Sequence, residues 1–372
     1  MFEPQGSQEY VGVTLGPHGN SLPQENRRDF APSMLPPPFQ DALVLTGPTG
    51  SGKTQLGIEL ARRLDAEIIS MDSMALYRRM DIGTAKPTHA QRALAPHHLV
   101  DVLEPWESAT VAWWLEQAKR CTREIEARGK QVLFVGGTPL YLKALISGLF
   151  DGPPADEAIR RRLTVEAQTL GSEALHQRLA GVDPLSAERI HPNDVRRMVR
   201  ALEVYELTGK TMSAWQTQWS VVRSPRSVVR SQEKAASETM FVDVLSQDDA
   251  DLPRTMDYGL PTILRLDLPR DDLYDRINRR VEGMFAAGLV EEARQLRALE
   301  RRLSLEASQA LGYKEIFDLL DGTIAPDEAI VRVQTRSRNF AKRQIAWFRH
   351  LPECRPVTME LTWRLWQPKM CR

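Results

Sequence analysis

The segment Gly47-Pro48-Thr49-Gly50-Ser51-Gly52-Lys53-Thr54 fits the spacing GxxxxGK[ST]. Glycines at these positions let backbone N–H groups wrap a phosphate, and a helix starting where the loop ends adds its positive dipole end. Lys53 supplies a mobile cation, and the Thr54 hydroxyl can ligand Mg2+. This is equipment for a diphosphate or triphosphate, whatever the reaction. Two further candidates follow the next apolar runs: Asp72-Ser73, and Gly136-Gly137-Thr138. A carboxylate placed like Asp72 could act as a general base or hold a metal through water. It could equally cap a following helix, the commoner use of Asp and Ser.

These residues need strands to present them. Ala42-Leu43-Val44-Leu45-Thr46 is a short apolar run before the phosphate loop, and Leu56, Leu60 and Leu64 follow it at helical spacing. Glu67-Ile68-Ile69-Ser70-Met71 and Gln131-Val132-Leu133-Phe134-Val135 read as further buried strands, with a helical stretch at 111–128 between them. Alternating strands and helices predict an α/β fold, a P-loop-type parallel sheet flanked by helices. Ligands in such sheets bind outside the carboxyl ends of the strands, which would bring Asp72 and Thr138 to the phosphate loop.

From 151 to 222 the strand signal gives way to helical periodicity, as in Val195, Val199, Leu202 and Tyr205, predicting an all-helical insertion domain. Residues 223–261 carry no consistent period and read as a long loop. Ile263-Leu264-Arg265-Leu266 returns to the sheet, and helices are expected over about 270–299, 308–320 and 327–350. The catalytic core is thus expected over 40–150 plus 262–352. A Pro-rich, disordered extension is expected over 1–39 and a tail over 353–372.

The chain of 372 residues carries 49 Lys+Arg against 49 Asp+Glu, and is 42% hydrophobic. No apolar run is long enough for a membrane span, and no secretory signal is seen. The 3 cysteines, Cys121, Cys354 and Cys371, form no CxxC pair. A disulfide framework and a zinc finger are excluded, and a cytoplasmic location is expected. The zero balance hides local cationic surfaces. Arg332, Arg336, Arg338, Lys342, Arg343 and Arg349 lie in an acid-free stretch, Arg196, Arg197 and Arg200 share one helix, and Arg160-Arg161-Arg162 begin another. Such surfaces suit RNA phosphates. They could also be ordinary solvated faces.

Beyond the phosphate loop, an ordered series of motifs resembles the tRNA dimethylallyltransferase (tRNA isopentenyltransferase) family. It comprises Ser70-Met71-Asp72-Ser73 through Tyr77, Met80-Asp81-Ile82-Gly83-Thr84-Ala85-Lys86-Pro87, Pro96-His97-His98-Leu99-Val100-Asp101 and Val135-Gly136-Gly137-Thr138-Pro139-Leu140-Tyr141. His191-Pro192-Asn193-Asp194, Arg200-Ala201-Leu202-Glu203-Val204, Gly312-Tyr313-Lys314-Glu315 and Lys342-Arg343-Gln344 continue it. The resemblance implies prenyl transfer from dimethylallyl diphosphate to N6 of the adenosine 3′ of the anticodon. The phosphate loop would hold the prenyl diphosphate, with Mg2+ as cofactor on Thr54. Asp72 matches the family's general base, Thr138 a residue that fixes the reacting amine, and Arg280 a diphosphate-contacting arginine. Arg276, one turn from Arg280, has similar access to the site by helical spacing. The tRNA-touching segments match Asp72, Ser73, Met74 and Ala75; Arg196, Arg197, Met198, Val199 and Arg200; and Gln309, Ala310, Leu311, Gly312, Tyr313 and Lys314. A monomer is the family precedent.

The extension at 1–39 has no counterpart in the family pattern, and 223–260 is longer than it requires. A C-terminal zinc finger, seen in eukaryotic relatives, is lacking, so a bacterial-type enzyme is expected. The rival readings are an ATP-using small-molecule or nucleotide kinase, with Asp72 as base toward a hydroxyl, and a non-catalytic RNA-binding P-loop protein.

Overall fold

A computed structural model describes residues 35–149, 152–221, 263–359 and 362. Most of the expected extension, the expected loop at 223–261 and most of the expected tail lie outside the described residues. The N-terminal half of the core runs β1 (Leu43–Thr46), α1 (Lys53–Arg63), β2 (Ala66–Ser70), α2 (His89–Arg92), β3 (His97–His98), α3 (Val111–Ala127), β4 (Gln131–Gly136) and α4 (Pro139–Ser147). The insertion follows as α5 (Glu157–Leu170), α6 (Ser172–Val182), α7 (Pro184–Arg189), α8 (Val195–Thr208) and α9 (Met212–Val221). The chain then rejoins the core with β5 (Ile263–Leu266), α10 (Arg270–Ala286), α11 (Leu289–Arg297), α12 (Leu305–Ser308), α13 (Tyr313–Leu320), α14 (Pro326–Arg349) and β6 (Arg355–Val357).

The sheet is parallel throughout, in the order β3-β2-β4-β1-β5-β6. Its central strands are apolar on both faces because helices cover both, which is why they read as continuous runs and not as alternation. Thr46 pairs with Gly136 and Ser70 with Val135. That register puts the carboxyl ends of β1, β4 and β2 side by side, so Gly47, Gly137 and Asp72 emerge at one sheet edge.

Four boundaries differ from expectation. Leu35 and Phe39 are buried, Phe39 edge-on to Phe134 at 5.6 Å, so packed structure begins inside the expected extension. The expected helix over 270–299 is two helices, because Gly288 takes φ 100 and ends the first. Likewise α13 starts only at Tyr313, after Gly312 at φ 94. At the C-terminus, β6 joins the sheet where a tail was expected, with Val357 buried beside Leu266.

The insertion has its own core, in which Leu163, Leu175, Leu179, Met198, Leu202 and Val204 pack together. At its centre the fully buried Glu203 accepts from Asp156 N–H and from the guanidinium groups of Arg160 and Arg200. Burial works to raise its pKa, but those hydrogen bonds outweigh it and hold the carboxyl below its ordinary value.

Candidate active site

The phosphate loop turns directly into α1, with Gly52 at φ 89 as the residue before the first helical turn. A side chain in that left-handed conformation is strained, which explains glycine there. Lys53 folds back so that its ammonium donates to Pro48 O at 3.2 Å. Burial lowers its pKa to about 8; the charge of Asp72 works the other way and that of Arg280 adds to the lowering. Arg280, reaching in from α10, donates to Thr49 Oγ1 at 3.2 Å, and burial pulls its pKa down against the effect of Asp72. Two cations and one carboxylate therefore share an enclosed space.

Asp72 sits two residues past β2. Its Oδ1 accepts the Met74 N–H at 2.9 Å, a local turn. No described helix begins there, so the capping alternative is reduced to that turn. Thr138, the residue before α4, accepts the Ser73 N–H on Oγ1 at 3.0 Å. Behind it Tyr141 stacks on Trp114 at 4.1 Å, and Trp114 donates to Ser70 O. The ends of β2 and β4 are thus tied together under the carboxylate. Burial, with the Asp72 charge next, pushes the Tyr141 hydroxyl pKa up.

A cavity of about 410 Å3 runs from the phosphate loop past Asp72 to the start of α13. Thr49, Lys53, Thr54 and Arg280 line it together with Asp72, Ser73, Met74, Thr138, Gln309, Ala310 and Leu311, and Asp72 lies close enough to Lys53 and Arg280 for its charge to act on both. Ile277, Val281, Met284, Val333 and Phe340 form an apolar wall from α10 and α14. Ile277, Val281 and Met284 recur at helical spacing along α10 and so present one face of it to the cavity. Arg276 is exposed and does not line it; its guanidinium lies against Gly52, where an added Cβ would be 3.7 Å from Nη1.

Other expected site residues are placed elsewhere. Gly47, Pro48, Gly50, Ser51 and Gly52 shape the loop without lining the cavity, and the buried Ser51 hydroxyl has no hydrogen-bond partner among the described residues. Met198 and Val199 are buried in the insertion core, and Arg200 is bonded to Glu203. Surface contact from that segment falls to the exposed Arg196 and Arg197. Tyr313 is buried and donates to Glu292 Oε1 at 2.6 Å, Gly312 is buried, and Ala75 faces the interior, leaving Gln309 and Lys314 exposed. None of the cavity-lining residues comes from α5–α9. In the acid-free stretch Arg332 pairs with Glu328 and Arg336 with Glu315, while Arg343 lies over Phe340 at the cavity.

Two residues went unassigned at the sequence level. Gln344 bridges the phosphate loop and the β4 loop; its signal was a polar residue on the buried stripe Ala341, Gln344, Phe348. Glu292 accepts the N–H groups of Asp81, Ile82 and Gly83 and so holds the loop that presents Gly83, Thr84 and Ala85 to the cavity. Nothing in its local sequence marks that role. For a metal, the described residues contain no group of three or more His, Cys, Asp or Glu that could hold one. Mg2+ needs few protein ligands when a diphosphate and water complete its shell, and the Thr54 hydroxyl and Asp72 carboxylate facing the same cavity fit that requirement.

A profile described as IPP transferase matches residues 75–351, and one described as isopentenyl transferase matches 40–94. The tRNA dimethylallyltransferase of Rhodopirellula baltica is 42% identical over 341 residues, covering 90% of this chain and 91% of its own. That of Geobacillus kaustophilus is 43% identical over 309 residues, covering 82% and 87%. The solved tRNA isopentenylpyrophosphate transferase of Bacillus halodurans superimposes with TM-score 0.56 at 39% identity, over 86% of this chain and 90% of that one. A eukaryotic dimethylallyltransferase captured acting on tRNA superimposes with TM-score 0.59 at 26% identity, over 87% and 75%. Motif order, parallel sheet and sequence identity agree over most of the length: the chain belongs to the IPP transferase family, whose members here are tRNA dimethylallyltransferases.

Proposed function

We propose that this chain transfers a dimethylallyl group from dimethylallyl diphosphate to N6 of adenosine 37, 3′ of the anticodon, in the anticodon stem-loop of tRNA. The observation that carries the reading is the continuity of one cavity. Its Lys53 and Arg280 cations suit a diphosphate, its apolar wall suits a prenyl chain, and Asp72 and Thr138 line the same cavity, where an acceptor amine would meet them.

N6 of adenine is a poor nucleophile because its lone pair is delocalised into the ring. As its bond to the allylic carbon forms, the carbon–oxygen bond to diphosphate breaks and the N6 proton passes to Asp72. A positioned base contributes about 10²–10⁴-fold in such a step. Negative charge grows on the departing diphosphate, where Lys53, Arg280 and the loop amides stabilise it. Mg2+ held by Thr54, with Asp72 through water, would add to that neutralisation. Thr138 would orient the amine. Extruding adenine from its stack costs a few kcal/mol, less in a splayed loop. The insertion, through Arg196 and Arg197, would grip the RNA, together with Gln309, which lines the cavity, and the exposed Lys314.

The working unit is taken to be a cytoplasmic monomer. Among the described residues no helix is long and apolar enough to cross a membrane. The test is incubation with labelled dimethylallyl diphosphate and unmodified tRNA, with and without Mg2+. Label on the RNA that is lost in Asp72→Ala supports the reading; ATP turnover without label transfer would replace it with the kinase.

A further inference from the structure

Gln344 lies on α14, 3% exposed, and both ends of its amide are engaged. Its Oε1 accepts the Thr49 N–H at 2.9 Å, 295 residues away in sequence, and its Nε2 donates to Gly137 O at 2.6 Å, 207 residues away. An N–H can only donate and a carbonyl only accept, so the amide orientation is forced by its partners. Thr49 also receives Arg280 on its hydroxyl. Gly137 precedes Thr138, whose hydroxyl holds the Ser73 N–H next to Asp72. One side chain therefore joins the group set that grips the leaving diphosphate to the group set that handles the amine.

There is no slack in this joint. A Cβ built on Gly137 would lie 2.8 Å from Gln344 Nε2, 3.0 Å from Gly47 O and 3.2 Å from Lys53 Nζ. Thr49 N–H, one of the amides of the phosphate loop, is directed at Gln344, so Gln344 also decides which loop amides remain for the diphosphate. Transfer depends on the distance between the allylic carbon and N6, and a misplacement of about 1 Å can cost about 10²-fold in rate.

We propose that Gln344 is a positioning residue that sets the spacing between the leaving-group half and the acceptor half of the site. It lines the cavity, but both ends of its amide are committed to Thr49 N–H and Gly137 O, so it acts through Thr49 and through Gly137-Thr138. This rests on the transferase reading, and the two fail differently: no transfer by the unaltered chain would remove that reading, whereas full transfer by Gln344 variants would remove only this one.

The experiment compares the intact chain with Gln344→Met, which keeps length and loses both hydrogen bonds. Gln344→Glu, which keeps the acceptor for Thr49 N–H and loses the donor to Gly137 O, is the second variant. Single-turnover transfer at saturating dimethylallyl diphosphate and tRNA is read beside the KM for each substrate and the melting temperature. The expected result is a fall in rate of about 10–10²-fold for both variants, Gln344→Glu losing through the acceptor it sets against Gly137 O, with KM for tRNA unchanged in both. In a Thr138→Ala background the Gln344→Glu effect should shrink, because both changes loosen the same joint. An unaltered rate in both variants, or a loss that follows the melting temperature with the rate of the folded fraction intact, would overturn the proposal. Should Gln344→Met not fold, the Gln344→Glu rate and its coupling to Thr138 decide alone.

Discussion

Thr138 Oγ1 accepts the Ser73 N–H at 3.0 Å, which ties the loop after β4 to the loop that carries Asp72. With the backbone amide on the oxygen, the hydroxyl proton remains to be donated, and Thr138 lines the cavity beside Asp72. Thr138→Ser keeps that donor and should transfer at a rate close to the unaltered chain. Thr138→Val removes donor and acceptor at once and should lose about 10²-fold in kcat, the scale of one oriented donor at a reacting centre. Equal rates for the two variants in a label-transfer assay would remove the hydroxyl from the mechanism.

Asp72→Asn keeps the shape of the side chain, and its carbonyl oxygen can still accept the Met74 N–H. It loses the base. Transfer should fall by about 10²–10⁴-fold while tRNA affinity, measured by filter binding, stays level. Comparable losses of both would make Asp72 a binding group instead.

Lys53 gives the site a pH dependence whose sign is fixed by its surroundings. Its folded pKa is lowered to about 8 by burial, with Asp72 opposing and Arg280 assisting. In the free protein the ammonium is therefore lost as pH rises through about 8, and diphosphate affinity should weaken in the same range. Between about 8 and the unfolded value near 10.5, the unfolded chain binds more protons at this site, so Lys53 makes stability rise with pH over that window. Inorganic pyrophosphate titrated calorimetrically from pH 7 to 9.5 should bind progressively more weakly. Lys53→Met should bind weakly throughout with that dependence removed, and an unchanged profile in Lys53→Met would assign the titration to another group.

How much of this could be read from the sequence depends on the range of the interactions involved. The strands β1, β2 and β4 and the phosphate loop are written in contiguous residues, as is the placement of Asp72 and Thr138 at strand ends. β3 is two residues long, and β6 is Arg355-Pro356-Val357 with two of its three residues exposed. Neither carries an apolar run, because neighbouring strands supply the pairing. Gly288 was visible, but the apolar periodicity continues across it, from Val281 to Leu289 and Leu296, so two helices read as one. Gln344 and Glu292 reach partners some 200 to 300 residues away, and no local pattern encodes such a bond. Met198, Val199 and Tyr313 show the reverse limit: a motif assigns a segment to a surface, whereas burial decides which of its side chains get there.

Glu292 offers a test of the loop that walls the acceptor side. It accepts three successive N–H groups, of Asp81, Ile82 and Gly83, and the Tyr313 hydroxyl. Glu292→Ala leaves those donors without their partner, at about 1–3 kcal/mol for each group left buried and unpaired. Chemical denaturation should show a lower midpoint. Because Gly83, Thr84 and Ala85 line the cavity, KM for tRNA should rise more than KM for dimethylallyl diphosphate. A lower midpoint with both KM values unchanged would confine Glu292 to stability.

Salt dependence separates arginines that meet RNA from those that hold the insertion together. Arg162 and Arg178 share Glu206, and Arg160 is bonded to the buried Glu203, so these cations are already neutralised within the fold. Arg197 is paired with Asp194 at 3.0 Å, but its own side chain is largely exposed, and such a pair yields readily to a phosphate. Arg196 is exposed and makes no ion pair among the described residues. If the insertion grips the anticodon stem-loop, Arg196→Ala should weaken tRNA binding and flatten the plot of log affinity against log salt by about one unit of slope. Arg197→Ala should do the same to a lesser degree, and Arg162→Ala should lower stability with the slope kept. An unchanged slope in both Arg196→Ala and Arg197→Ala would move the RNA-binding surface off the insertion and onto α14, where Lys342 and Arg343 stand exposed beside the cavity.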